Sequence, residues 1–328
     1  MPLLGWSYNE KTMYNYSIIV PHHNNPELLD RCLSSIPIRE DLQVIVSDDN
    51  SNIESKNQLR LLERLYPKVE FLYSDITGYG GKARNIGLER ALGKYIMFID
   101  DDDYFNPCIK QVLDEYEGET TDIVFFNAIA IDADDYTPTW RADHLNYMHH
   151  LYQSNPKQAE FLLRYSFGEP WCKLIRKELI DEYQIRFEET NIHNDTQFSY
   201  LIGYYAKSIK VDPRVIYNYT IRKNSVSVSF SDERYLGRVE VFSKKNQYLS
   251  NHGIPFFDTH LLSSFIHYLD TKNTEKLRQC YSITNKYGIS DKTIKRLIMK
   301  ARLKSYFKNV IKIYKFIRNV RKANAIYG

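Results

Sequence analysis

Tyr95-Ile96-Met97-Phe98-Ile99-Asp100-Asp101-Asp102-Asp103-Tyr104 decides the reading of the fold: five apolar residues run straight into four carboxylates. A short run with β-branched and aromatic side chains predicts a strand buried on both faces. The acids then fall just past the carboxyl end of that strand, where open α/β sheets hold their ligands. Neighbouring carboxylates repel one another, and a divalent cation relieves that repulsion most readily. A solvated acidic turn is the other reading that the run itself allows.

On the amino-terminal side, residues 16–20 read as a strand halted by Pro21. Asn25 is placed to cap a helix with Pro26 at its first position, and Leu28, Leu29, Cys32, Leu33 and Ile36 follow at helical spacing. Residues 42–47 make a second strand ending in Asp48 and Asp49, and a helix through Leu59, Leu62 and Leu65 leads to a third at 69–73. The glycines of 78–81 form a flexible turn before a helix bearing Ala83, Ile86, Ala91 and Leu92. Past the opening stretch, Pro107 starts another helix and 122–127 is a further strand. Strands alternating with helices predict the α/β class, with a mostly parallel, Rossmann-like sheet flanked by helices. Residues 132–165 lack clean periodicity and read as loop and short helix. From about Ser231 the pattern turns helical, so the expected division is an α/β domain over 1–228 and a C-terminal helical region over 229–328.

A chain of 328 residues, 43% hydrophobic and 26% charged, is long enough for a full α/β core plus a smaller unit. Cys32, Cys108, Cys172 and Cys280 form no C-x-x-C or zinc spacing and suit reduced thiols. No basic segment followed by an apolar core opens the chain, and nowhere do eighteen apolar residues run together. The expected location is cytoplasmic.

Two acidic clusters, Asp48/Asp49 and the aspartates 100–103, lie at the ends of different strands. In a parallel sheet such ends share one edge, so both converge on one crevice. There a carboxylate is suited to the N–H of a nucleobase or to ribose hydroxyls, and another to Mg²⁺ or Mn²⁺ across a diphosphate. The run Gly78-Tyr79-Gly80-Gly81-Lys82-Ala83 also fits G-x-G-x-x-A after a strand, with Asp100 where a ribose acid would stand. That is the rival reading, an NAD(P)-dependent oxidoreductase. It is the weaker one, because this is the third strand and one ribose contact does not call for four acids.

Four segments carry a resemblance: Ser17-Ile18-Ile19-Val20-Pro21; Ile45-Val46-Ser47-Asp48-Asp49-Asn50-Ser51; Gly81-Lys82-Ala83-Arg84-Asn85-Ile86-Gly87-Leu88; and Gly93-Lys94 leading into the opening stretch. In this order and with these gaps they resemble family 2 glycosyltransferases, enzymes of the GT-A fold that include many acting in capsular and lipopolysaccharide assembly. The resemblance runs on through Trp171-Cys172-Lys173-Leu174 to Asn194-Asp195-Thr196-Gln197-Phe198, and covers roughly residues 15–228. It implies nucleotide binding at Pro21, Asp49, Lys82 and Arg84, a D-x-D pair at Asp100 and Asp102 with Asp102 at a Mg²⁺ or Mn²⁺ ion, and Asp101 beside them. It implies Asp195 as the general base of an inverting transfer from a nucleotide-sugar, UDP-linked, to a hydroxyl of a lipid-linked saccharide. Trp171, Glu169 and Lys173 are candidates for shaping the acceptor pocket, and Arg222 for a loop closing over the diphosphate. Three positions depart from the family: His22-His23-Asn24 replaces small-Tyr-Asn, Asn50 stands where Gly is common, and Asn194 replaces a Glu. The last is the sole support for a third reading, a catalytically inactive nucleotide-binding member.

The net charge of +3 hides an asymmetry: residues 291–328 carry twelve Lys and Arg against the single acid Asp291, a net +11 against −8 elsewhere. Leu303, Tyr306, Phe307, Val310, Ile313, Tyr314, Ile317 and Val320 recur at three- and four-residue steps among lysines. That is the composition of an interfacial amphipathic helix, and it predicts contact with an anionic membrane surface at the inner face of the cell membrane. Nucleic acid is not an expected partner, since the body is acidic and carries no recognition motif.

Overall fold

Every residue of β1 (Tyr16–His22) is buried, as a strand covered on both faces requires. The strand continues through Pro21 rather than halting there. Ile19 accepts from the Ile99 amide on the β4 side, so Pro21, two residues on, points the same way. The neighbouring strand has ended by then, and the missing N–H breaks no ladder bond.

A computed structural model describes residues 14–222 and 231–304, in two units that divide between residues 229 and 230. In the first, β1 is followed by α1 (Pro26–Ser34), β2 (Leu42–Asp49), α2 (Ile53–Leu65), β3 (Val69–Ser74), α3 (Tyr79–Arg90) and β4 (Tyr95–Phe98). Next come β5 (Tyr104–Phe105), α4 (Ile109–Glu115), β6 (Ile123–Asp132), α5 (Asp143–Ser154), α6 (Pro156–Tyr165) and β7 (Lys173–Arg176). The unit closes with α7 (Lys177–Glu182), α8 (Thr196–Tyr205) and β8 (Ile209–Ile221). The eight strands form one sheet in the order β3-β2-β1-β4-β7-β6-β8-β5. It is mixed: β1/β2, β1/β4, β2/β3 and β6/β8 are parallel, whereas β7 and β5 run antiparallel to their neighbours. Ile18, Ile19, Val20, Ile45 and Val46 are wholly inaccessible, each contributing roughly 1.5–3 kcal/mol of burial.

Three local expectations are corrected. The glycine run is not a turn ahead of a helix but its first turn, with Gly78 at the N-cap position. Asn25 occupies the N-cap position of α1 without capping it, because its amide donates to the His23 carbonyl instead. Residues 143–165 form two full helices, the second capped by Asn155. Their periodicity is masked because the buried stripe of α5 includes His149, bonded to the Phe126 carbonyl, while Tyr147 points outward.

The second unit comprises α9 (Asp232–Asn251), α10 (Leu262–Asp270), α11 (Thr274–Lys286) and a helical stretch over 291–304. Val239, Leu261, Phe265, Cys280 and Ile294 form its core. Inside it Lys245 Nζ lies 2.5 Å from Asp258 Oδ2, both residues 2% exposed. Burial opposes the Asp258 charge, but His260 and Lys245 prevail and hold the carboxyl well below its usual range. An open cavity of about 680 Å³ lies against Leu269, Tyr281, Ile298, Met299 and Leu303, and among the described residues no carboxylate lines it. Among the described residues no helix is long and apolar enough to cross a membrane. Most of the amphipathic repeat, from Tyr306 on, lies outside the described residues.

Candidate active site

The carboxyl ends of β1, β2 and β4 lie side by side, so their termini share one sheet edge. β2 carries Asp48 and Asp49 within the strand. Asp48 serves its own turn, accepting from the Ser51 amide at 3.0 Å. Asn50 takes the left-handed conformation, φ +54°, that the turn demands. Asp49 Oδ1 accepts from the Gly78 amide at 2.8 Å, which ties the end of β2 to the start of α3. Lys82, one turn into α3, donates to the Ile76 carbonyl at 3.1 Å.

Arg84 is the centre of the arrangement. Its guanidinium lies 2.5 Å from Asp100 Oδ1 through Nη2 and donates to Asn194 Oδ1 at 3.2 Å through Nη1. It therefore joins the acid loop to the segment before α8. Gly81 permits this closeness, since a Cβ there would stand 2.0 Å from the Glu188 carbonyl oxygen.

The four aspartates have four different surroundings. Asp101 Oδ2 lies 2.7 Å from His22 Nδ1. Asp102 Oδ2 meets Arg222 Nη2 at 2.6 Å. Burial, then repulsion from Asp101 and Asp100, pushes the Asp102 carboxyl up to about 6 in spite of Arg222. Asp103 is fully buried, accepting from the Tyr217 hydroxyl at 2.6 Å and the Thr220 amide at 2.7 Å. It anchors the loop to β8. Arg31 and Thr220 both donate to the Asp102 carbonyl and fix the backbone there.

Asp195 sits at the N-cap position of α8, yet its side chain makes no capping bond. Burial, and after it the charge of Glu169, raises its carboxyl to about 6, with Arg84 opposing. The loop bearing Glu169 is held against α8 by Ser199 Oγ, which donates to the Gly168 carbonyl at 2.5 Å. Lys173 is 1% exposed, donates to the Glu169 carbonyl and lies 3.8 Å from the Phe167 ring. Burial lowers its ammonium to about 7.

Two sequence candidates, Trp171 and Lys173, are buried. Trp171 is buried and stacks on Tyr217 with ring centroids 4.9 Å apart, so it backs the residue that holds Asp103. Lys173 lies beneath the Glu169 loop. The dinucleotide reading finds no glycine loop after the first strand: the glycines open α3, in the third strand–helix unit. Arg31 and Tyr217 belong to the site but carry no local signal, since their partners are 71 and 114 residues away in sequence.

The profile of Glycosyl transferase family 2 matches residues 17–184. EpsH of Bacillus subtilis (strain 168) is 25% identical over 218 residues, 64% of this chain and 62% of EpsH. The GalNAc(5)-diNAcBac-PP-undecaprenol beta-1,3-glucosyltransferase of Campylobacter jejuni subsp. jejuni serotype O:2 is 34% identical over 94 residues, 28% of this chain and 30% of that protein. The chain thus spans less than two thirds of the length of either relative. Among solved structures, S. aureus TarS 1-349 in complex with UDP-GlcNAc is similar at TM-score 0.53 and 18% identity, over 83% of this chain and 91% of that one.

Proposed function

The chain belongs to glycosyl transferase family 2 and has the GT-A fold, and from that premise we propose an inverting, metal-dependent transfer of a sugar from a UDP-sugar to a hydroxyl of a lipid-linked saccharide. The observation that carries this reading is Arg84, which bonds the acid loop through Asp100 and the base segment through Asn194. In this reading the nucleotide ligands and the acceptor base share one sheet edge. In this reading the backbone at Pro21 and the Asp49 carboxylate bind the base, and Asp100 and Asp101 face the ribose and diphosphate.

The donor set suits a divalent cation held jointly by protein and substrate. Among the described residues no three His, Cys, Asp or Glu side chains form a metal cage. Asp102, however, is a carboxylate crowded by Asp101 and Asp100, and in this reading it stands beside the diphosphate; Mg²⁺-type ions use one or two carboxylates plus substrate phosphates. When bound, Mg²⁺ or Mn²⁺ supplies Lewis-acid screening of the leaving diphosphate. Arg222 and Lys82 add cations on that side. Asp195 accepts the proton of the acceptor hydroxyl as its oxygen attacks the anomeric carbon. The bond to the acceptor forms, the bond to the diphosphate breaks, and the sugar's configuration inverts. A carboxylate raised to about 6 is a stronger base than an ordinary one and still ionised near neutrality.

UDP with Mn²⁺ should raise the melting temperature through linkage, and Asp102→Ala should remove the Mn²⁺-dependent part. No response of the wild-type chain to UDP and Mn²⁺ sinks the proposal. The basic repeat of 303–320 supports a further element, docking on anionic lipid. Equal binding to phosphatidylglycerol vesicles by the chain lacking 305–328 counts against that element.

A further inference from the structure

Trp140 opens a 3₁₀ turn over Trp140–Ala142, just past the hairpin that extends β6, and is 70% exposed; Tyr136, at the turn of that hairpin, is 60% exposed. An indole left in water within ordered structure asks for a partner, since large exposed apolar groups mark binding surfaces when they are grouped. The hairpin is well built. The Asp132 amide donates to the Thr137 carbonyl at 2.9 Å, and the Thr139 amide to the Ala130 carbonyl at 2.8 Å. Tyr136 holds a left-handed φ of +59° at its turn, a strained position for an aromatic residue.

The exposed ring connects with the candidate active site through side chains and strand register. Arg141 Cζ lies 6.0 Å from the Trp140 ring centroid and 5.9 Å from that of Tyr219. Tyr219 pairs with Ala130 across β8 and β6, and Ala130 is the residue that receives Thr139. The residue after Tyr219 is Thr220, which fixes the Asp102 carbonyl. Trp140 therefore begins about two strand spacings, roughly 10 Å, from the part of β8 that carries the acid loop.

We propose that Trp140, Arg141 and Tyr219 form a saccharide subsite along which the acceptor glycan lies, with one face of a sugar ring on the Trp140 indole. The assignment rests on the saccharide-acceptor reading given above. An aromatic face is electron-rich and attracts the C–H bonds on the flat face of a pyranose, while Arg141 and Asp132 offer donors and acceptors to hydroxyls at its edge. The surroundings favour a glycan over a lipid surface. Asp132, Asp134 and Asp135 share the hairpin and would repel anionic headgroups.

The test presents the full chain to an array of bacterial surface glycans, beside Trp140→Ala and Trp140→Phe, with circular-dichroism melts to show that both variants fold. Glycan binding by the wild-type chain should weaken about tenfold in Trp140→Ala and be largely kept in Trp140→Phe, which retains a stacking ring. Equal binding by Trp140→Ala overturns the inference, as does absence of glycan binding by a chain that UDP and Mn²⁺ stabilise. Phosphatidylglycerol vesicles that blue-shift wild-type indole emission, but not that of Trp140→Phe, overturn it in favour of a lipid surface. Trp140-dependent glycan binding in a chain insensitive to UDP and Mn²⁺ keeps the subsite and sinks the nucleotide-sugar reading instead.

Discussion

Arg84 Nη2 stands 2.5 Å from Asp100 Oδ1, joining the middle of α3 to the first of the four consecutive aspartates. The Arg84 side chain is 9% exposed and that of Asp100 28%, so the pair is only partly screened by solvent. Arg84→Met should lower stability by roughly 1–3 kcal/mol, measured by urea unfolding. A double-mutant cycle with Asp100→Asn should return a coupling of at least ~0.5 kcal/mol. Strict additivity would show that the two residues do not act together.

Asp195→Asn separates binding from chemistry. UDP with Mn²⁺ should still stabilise the variant, while turnover falls by about 10²–10⁴. Stability should move as well. The native carboxyl is raised from 3.8 to about 6, so this group favours folding below the lower value and loses that contribution as pH rises through the upper one. Relative to wild type, Asp195→Asn should therefore gain stability between pH 4 and pH 8, by of order 1–3 kcal/mol. A stability difference that is flat in pH would contradict the raised carboxyl.

Glu169 raises Asp195 by like charge, second only to burial. Glu169→Gln removes that repulsion and should shift the acid limb of the kcat/KM profile to lower pH. Movement of the limb to higher pH, or none, would show that Glu169 does not act on the group that sets it.

Within the second unit the Lys245–Asp258 pair is buried on both sides. Lys245→Met strands the Asp258 carboxylate and should cost about 3–5 kcal/mol, with Lys245→Met/Asp258→Asn recovering part of the loss. Thermal melts of the full chain decide it. A single variant that melts like wild type would mean that His260 alone satisfies the carboxylate.

The strand–helix alternation was legible because β1, β2 and β4 are apolar runs that end in polar punctuation. The acid cluster was legible for the same reason: it follows such a run. Its division of labour was not. Asp101, Asp102 and Asp103 look alike in sequence, and their roles come from His22, Arg222 and Tyr217, which the fold brings in from other elements. Trp171 has the same history, since only the stacking on Tyr217 shows it as a support. The helices of 143–165 were hidden by a buried histidine that hydropathy counts as polar.

The close approach at Gly81 has a mechanical consequence. Gly81 abuts the Glu188 carbonyl, and Arg84, one turn later, grips Asn194. Two fastenings on one helix make α3 and the segment leading into Asp195 a single moving part. A change that nudges α3 then shifts the Asp195 segment by the same stroke, and even an alanine at Gly81 would displace the carboxylate proposed as the base without altering a single charge.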